Sequence, residues 1–168
     1  MRIRPARVDD LPTLPAIERD AGQMFAAIGM DAVAADEPLP VSVLAEYQRH
    51  GRAWVAVDAT DAPVGYVIAE LLDGNAHIEQ VSVRTSSARQ GVGGALVEAV
   101  AGWASEHGLP AITLTTFAEV AWNAPYYERL GFRTLHEHGL TAGLRAKRTE
   151  EAAHGLDRWP RVCMRREL

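Results

Sequence analysis

The residues that first call for a chemical explanation are the glycines of Ser86-Ser87-Ala88-Arg89-Gln90-Gly91-Val92-Gly93-Gly94-Ala95-Leu96. Without side chains in the way, successive backbone N–H groups can converge on an anion. An apolar stripe begins inside this segment, so the loop opens a helix whose N-terminus adds partial positive charge. Arg89 offers a charge-assisted contact at the same place. The chemistry is that of a phosphate cradle. Two familiar nucleotide loops are excluded by what is missing. No Gly-Lys-Ser/Thr follows the glycines, so a P-loop lacks its lysine and its magnesium hydroxyl. A dinucleotide fingerprint needs a small residue where Leu96 stands, and an acid about 20 residues further on, where Ala111 and its neighbours are apolar. His136 and His138 flank Glu137, yet no second ligand pair has matching spacing and Cys163 stands alone, so solvated histidines are expected and no metal. Cys163 itself falls in a terminal strand-like run, Trp159 to Met164, and reads as a buried thiol instead of a nucleophile.

A chain of 168 residues with 48% hydrophobic and 23% charged residues is expected to form one domain, residues 1–168, around a sizeable core. The net charge of −5 is unevenly spread. Residues 1–84 hold seven arginines against thirteen acids, and residues 85–168 hold ten Lys or Arg against nine acids. No basic stripe of the kind a nucleic-acid backbone needs is visible, so no nucleic-acid partner is expected. The acidic first half favours a cationic substrate, or is simply a solvated surface. A single cysteine forms no internal disulfide and fits a reducing, cytoplasmic setting. Met1 to Asp10 carries three arginines and no apolar run, and no 18-residue apolar stretch follows, so neither export nor membrane association is expected.

The elements that position the loop can be read from periodicity. Arg2 to Pro5 is a short edge strand, after which Asp9 or Asp10 is expected to cap a helix with Leu11, Leu14, Ile17 and Ala21 inward. Pro12 suits its first turn and Pro15 is expected to bend it. Gly22 to Pro40 has no clear period; Val43, Leu44 and Tyr47 predict a second helix that ends at Gly51. Ala53 to Val57, Val64 to Glu70 and His77 to Val83 then read as an antiparallel meander, turning at Asp58 to Pro63 and Asp73-Gly74-Asn75. Val92, Leu96, Val100 and Trp103 form a helix stripe that stops at Gly108 and Pro110. The helix returns the chain to Ile112 to Thr116, parallel to the preceding strand. A short helix over Ala124 to Leu130, strands at Phe132 to Leu135 and Val162 to Arg165, and a polar helix from Leu144 to His154 complete the chain. Arg145 to Glu151 reads as a mixed-charge helix surface. Edge strands near the C-terminus allow a homodimer.

Two segments in the right order resemble the GNAT superfamily of acetyl-CoA-dependent N-acetyltransferases. One is His77-Ile78-Glu79-Gln80-Val81-Ser82-Val83 followed by Arg89-Gln90-Gly91-Val92-Gly93-Gly94-Ala95-Leu96. The other is Trp122-Asn123-Ala124-Pro125-Tyr126-Tyr127-Glu128-Arg129-Leu130-Gly131-Phe132. The resemblance implies an α+β fold: a mixed, mostly antiparallel central sheet with one parallel crossover and splayed central strands, flanked by helices. It also departs at one place, for the family usually has Gln or Arg three residues before the first loop glycine, where this chain has Ala88.

What the resemblance implies about chemistry is specific. Arg89, Gln90, Gly91, Val92, Gly93, Gly94 and Ala95 would hold the pyrophosphate of acetyl-CoA. The main chain of Val81, Ser82 and Val83 would pair with its pantetheine arm, and Asn123 would contact the cofactor, although Asn123 also reads as a helix N-cap. By the resemblance Glu79 takes the place of the general base, acting directly or through water, and Tyr127 that of the acid beside the thioester sulfur; from the residues alone, Glu79 is equally an exposed strand residue or a charge partner, and Tyr127 a packing residue. An ammonium with a reference pKa of about 10.4 needs desolvation or a relay before a carboxylate can deprotonate it. His77 shares the sheet face of Glu79 by strand alternation, and either joins the relay or is an ordinary strand histidine. Met24, Phe25, Phe117 and Trp122 are core or acceptor wall. The acceptor is an amine of a small molecule or a peptide. A catalytically silent acyl-CoA-binding module remains the alternative.

Overall fold

The computed structural model describes residues 1–168. Its strands are β1 (Arg2–Pro5), β2 (Ala53–Val57), β3 (Pro63–Leu72), β4 (Asn75–Val83), β5 (Ala111–Phe117), β6 (Arg133–Leu135) and β7 (Arg161–Glu167). They form one seven-stranded sheet in the order β1-β2-β3-β4-β5-β7-β6. Pairing is antiparallel for β1 with β2, β2 with β3, β5 with β7 and β6 with β7. β4 and β5 run parallel, their rungs at Ala76↔Ile112 and His77↔Thr113, in the first half of β4. The helices are α1 (Leu14–Ala26), α2 (Asp31–Ala34), α3 (Val41–Arg49), α4 (Val92–Glu106), α5 (Ala124–Arg129) and α6 (Ala142–Ala153). This is the α+β class with a single parallel crossover through α4 that the sequence predicts. No helix is long and apolar enough to cross a membrane.

The chain divides into two compact units, residues 1–69 with 80–100, and residues 70–79 with 101–168. In the first, Leu14, Ile17, Leu44, Val55 and Ile68 are fully buried in one cluster. Each such side chain contributes roughly 1.5–3 kcal/mol relative to an exposed one. The expected cap at Asp9 or Asp10 is corrected here. A 3-10 turn, Val8–Thr13, precedes α1, and the Asp10 carboxylate accepts the Arg7 N–H at 2.7 Å. The same carboxylate is gripped by the guanidinium of buried Arg4 at 2.7 and 3.0 Å, so it is spent before α1 begins. Pro15 lies in the first turn of α1, where its missing N–H costs nothing, and so it starts the helix without bending it. The aperiodic stretch from Gly22 to Pro40 contains the end of α1 and the short α2. Glu18 ties it down, accepting the Leu39 N–H at 3.2 Å and the Tyr66 hydroxyl at 2.8 Å.

In the second unit, Ile112, Leu114, Leu144 and Met164 are buried. Asp73 and Gly74 turn the β3–β4 hairpin, both with positive φ (53° and 78°), as a tight two-residue turn that matches strand twist requires. The Asp73 carboxylate then reaches α6, accepting the Gly143 N–H at 3.0 Å and the Thr141 hydroxyl. Hairpin turn and helix start are thereby fastened together.

Candidate active site

The cradle lies in the first unit. Gly91 adopts φ +77° and Arg89 φ +61°, so the backbone enters the left-handed region twice within three residues. A Cβ at Gly91 would meet nothing within 4 Å, so glycine serves the backbone angle there and not a close contact. The first turn of α4 closes with Ala95 N–H donating to the Gly91 carbonyl at 3.0 Å. The N–H groups of Val92, Gly93 and Gly94 precede that bond and have no partner inside the helix. This backbone fits a pyrophosphate. Arg89 and Gln90 are exposed beside it, Gln90 reaching back to the Ser86 carbonyl at 3.5 Å. The approach to the loop is held by Asp20 on α1, which accepts the Thr85 N–H at 2.7 Å and its hydroxyl at 3.1 Å. Sequence reasoning missed Asp20, because nothing local links it to a residue 65 positions away.

Along β4 the alternation holds. His77 and Glu79 face one way, with His77 Nε2 3.8 Å from Glu79 Oε2. His77 is 2% exposed and its Nδ1 bonds the Thr113 hydroxyl at 2.8 Å. Burial, with the nearby Lys147 ammonium, pulls its pKa from 6.5 down to about 4, so the ring is neutral at pH 7. Ser82 is buried and accepts a hydrogen bond from the Gln80 amide at 2.8 Å, while Val81 and Val83 are half-buried.

Glu79 is a charge partner, one of the alternatives its residue type left open, and its cation is Lys147, which the sequence reading did not single out. Lys147 Nζ stands 3.0 Å from its Oε2 and 2.7 Å from Glu70 Oε1. Burial pushes the Glu79 carboxyl above its ordinary value, and the Lys147 ammonium opposes that rise. The stretch Arg145 to Glu151 is therefore not a plain solvated surface. Lys147 turns inward with its side chain 19% exposed, and Glu151 binds Arg161 at 3.1 Å and the Thr115 hydroxyl. A signal was present only as lysine among the inward positions of a helix that also buries Leu144, three residues before it.

In α5, Tyr127 is half-buried and packs edge-on against Phe132 and Tyr126 with ring centroids 5.8 Å apart in each case. Burial raises its phenol above the ordinary range. Asn123 occupies the N-cap position, but its side chain makes no capping bond; only its carbonyl accepts the Tyr127 N–H at 3.0 Å. The expected side-chain cap is thus corrected, and the side chain is left for another role. Pro125 at the helix start removes one of the N–H groups a cap would serve. Met24, Phe25 and Trp122 are half-buried. Phe117 is 5% exposed, its ring packed against Trp159 and under the Arg161 guanidinium at 4.4 Å, which leaves little ring surface for an acceptor. Cys163 is buried and its thiol is pushed up to about 11, unsuited to attack.

The glycine loop opens the crossover helix α4, Glu79 lies on β4 and Tyr127 on α5, in the chain order that the resemblance implies. Residues 20–132 match the Acetyltransferase (GNAT) family, and the chain belongs to it, with acetyl-CoA as the acyl donor. Solved structures agree on the fold. A Mycobacterium tuberculosis protein in complex with CoA superposes with TM-score 0.71 at 19% identity, covering 100% of this chain and 99% of that one. The ribosomal-protein-alanine N-acetyltransferase of Brucella melitensis gives 0.70 at 21% identity, covering 100% of both chains. The ribosomal-protein-S18-alanine N-acetyltransferase of Escherichia coli gives 0.68 at 18%, covering 99% of this chain and 92% of that one.

Proposed function

We propose that this acetyltransferase acetylates a primary amine of a small molecule or peptide, with Glu79 accepting the proton of the acceptor and Tyr127 protonating the leaving sulfur. The observation that carries the reading is Glu79: a carboxylate held at Oε2, whose Oε1 makes no hydrogen bond. When bound, acetyl-CoA supplies an acyl group already activated as a thioester. The N–H groups at the head of α4, with Arg89 and Gln90, would hold its pyrophosphate. The main chain of Val81, Ser82 and Val83 would hold the pantetheine arm, with the side chain of Asn123 as a further contact. Glu79 removes a proton from the acceptor ammonium, directly or through a water. With acetyl-CoA bound, the deprotonated nitrogen would form the C–N bond as the C–S bond broke, and the Tyr127 hydroxyl would give its proton to the departing sulfur and regain one from solvent. Burial raises the phenol above its ordinary value, so it stands protonated at neutral pH.

The net negative charge of Glu70 and Glu79 against the single cation of Lys147 supports a cationic acceptor. Met24, Phe25 and Trp122, each half-buried, are offered as its apolar wall. A second reading, a silent acyl-CoA-binding module, is favoured by one fact: the Glu79 carboxylate already has an ion-pair partner. Calorimetry with acetyl-CoA and CoA, followed by thiol release over a panel of small amines and peptides, separates the two. We expect binding of both ligands and turnover with at least one amine. Binding without turnover across the panel selects the silent module, and the absence of binding overturns both.

A further inference from the structure

Lys147 belongs to α6, beyond residue 132, where the match to the family ends. Its ammonium bridges two carboxylates from different strands, Glu70 on β3 at 2.7 Å and Glu79 on β4 at 3.0 Å. With side chains 19%, 26% and 30% exposed, this triad is far from a loose surface pair. Removing one member of such a group leaves a poorly solvated charge behind. The hold is also one-sided. Lys147 and, at 3.8 Å, the His77 ring both lie toward Oε2 of Glu79, and Oε1 carries no hydrogen bond.

We propose that Lys147 is a positioning residue for acetyl transfer: its ammonium pins Oε2 of Glu79, keeps that carboxylate charged, and leaves Oε1 for the acceptor or its bridging water. The inference rests on the reading of Glu79 as base. Lys147 gives up no proton itself, since its two carboxylate partners hold its pKa above the ordinary lysine value despite burial. The groups that face Glu79 act in opposite senses. Glu70 from β3 and Glu151 from α6 disfavour its charge, as burial does, and Lys147 favours it. His77 on β4 is neutral at pH 7, and Asp73 in the hairpin turn adds a further negative charge to this neighbourhood. Lys147 is therefore the group that offsets burial. Its loss raises the pKa of Glu79, so the base is protonated at pH values where it is now charged.

The test is the pH profile of kcat/KM, together with a direct titration of the Glu79 carboxyl carbon by 13C NMR, assigned by its disappearance in E79Q. In Lys147→Met the acid limb and the NMR midpoint should both move up by about one pH unit or more, a tenfold loss of rate on the limb. CoA affinity should stay within about twofold, because the cradle is built from other residues. Lys147→Arg, which keeps the charge, should bring both midpoints back toward wild type. Glu70→Gln keeps the lysine but removes its other carboxylate partner: with one anion gone and Lys147 left to Glu79 alone, the Glu79 midpoint should fall, and this variant decides the matter if Lys147→Met does not fold. Unmoved midpoints in folded Lys147→Met, or in Glu70→Gln, overturn the inference. A lower KM for the amine in Lys147→Met with an unmoved acid limb also overturns it, since that marks the lysine as a plug. Wild-type turnover by E79Q overturns instead the reading of Glu79 as base, while the NMR midpoints still judge the coupling.

Discussion

The phenol of Tyr127 is raised by burial and by its neighbour Tyr126, with no hydrogen bond contributing. A hydroxyl that donates nothing within the fold is available to donate outside it, which gives a sharp expectation for Tyr127→Phe. The ring contacts with Phe132 and Tyr126 persist, so the melting temperature should stay within about 2 °C. General acid assistance is worth roughly 10²–10⁴, so kcat should fall by about 10²-fold while KM for acetyl-CoA changes by less than about twofold. An unchanged kcat removes Tyr127 from the chemistry. At this scale the sequence was informative where chemistry is written in local spacing. The loop glycines at the start of α4 and the His77–Glu79 alternation along β4 are of that kind. It was silent on Lys147 and Asp20, whose partners lie 68 and 65 residues away and are joined to them only by folding.

Elements, more than single residues, decide where Lys147 stands. The first turn of α6 sits directly on the β3–β4 hairpin. A Cβ added to Gly143 would lie 2.5 Å from Asp73 Oδ2 and 2.6 Å from the Leu72 side chain, distances that force a movement. Gly143→Ala should therefore destabilise the protein by about 1–3 kcal/mol, read as a lower urea midpoint, and shift α6 relative to Glu79. Activity should fall with it, and stability within about 0.5 kcal/mol of wild type would show that the contact yields freely. Gly91→Ala is the contrasting case. No atom is met, but an alanine at φ +77° costs about 1 kcal/mol or more, and CoA affinity measured by calorimetry should fall several-fold. An apolar stripe and a glycine after it located α4 and the end of α3 to within a residue or two, a run of β-forming residues between turns located β2, and Pro125 with Gly131 located α5. The 3-10 turn and α2 escaped these signals. Their order comes from Asp10 with Arg4 and from Glu18 with Tyr66 and Leu39, polar pairings that leave no period in the sequence.

For the molecule as a whole, the ionisable groups inside the fold pull its pH-stability curve in two directions. Glu18 and Glu79 have carboxyls raised by burial, so acidification toward their folded values relieves the fold. Asp10 is the reverse: burial works against its charge, but Arg4 and the Arg7 N–H hold it below the usual carboxylate range, so its contribution is lost at still lower pH. His77 acts between these. Its folded pKa of about 4 lies below the ordinary 6.5, so the unfolded chain binds the proton first. The stability it contributes as a neutral buried ring is complete above about pH 6.5 and is lost as pH falls toward 4. The drop corresponds to about 3 kcal/mol at most. A His77→Gln protein keeps an amide that can bond Thr113 but cannot titrate. The unfolding free energy of wild type minus that of His77→Gln, from urea curves, should accordingly fall by about 2 kcal/mol between pH 7.5 and 4.5. Because Glu18 and Asp10 are common to both proteins, their opposing slopes cancel in the difference, and a difference that stays constant with pH would mean that the imidazole is free to take up its proton inside the fold.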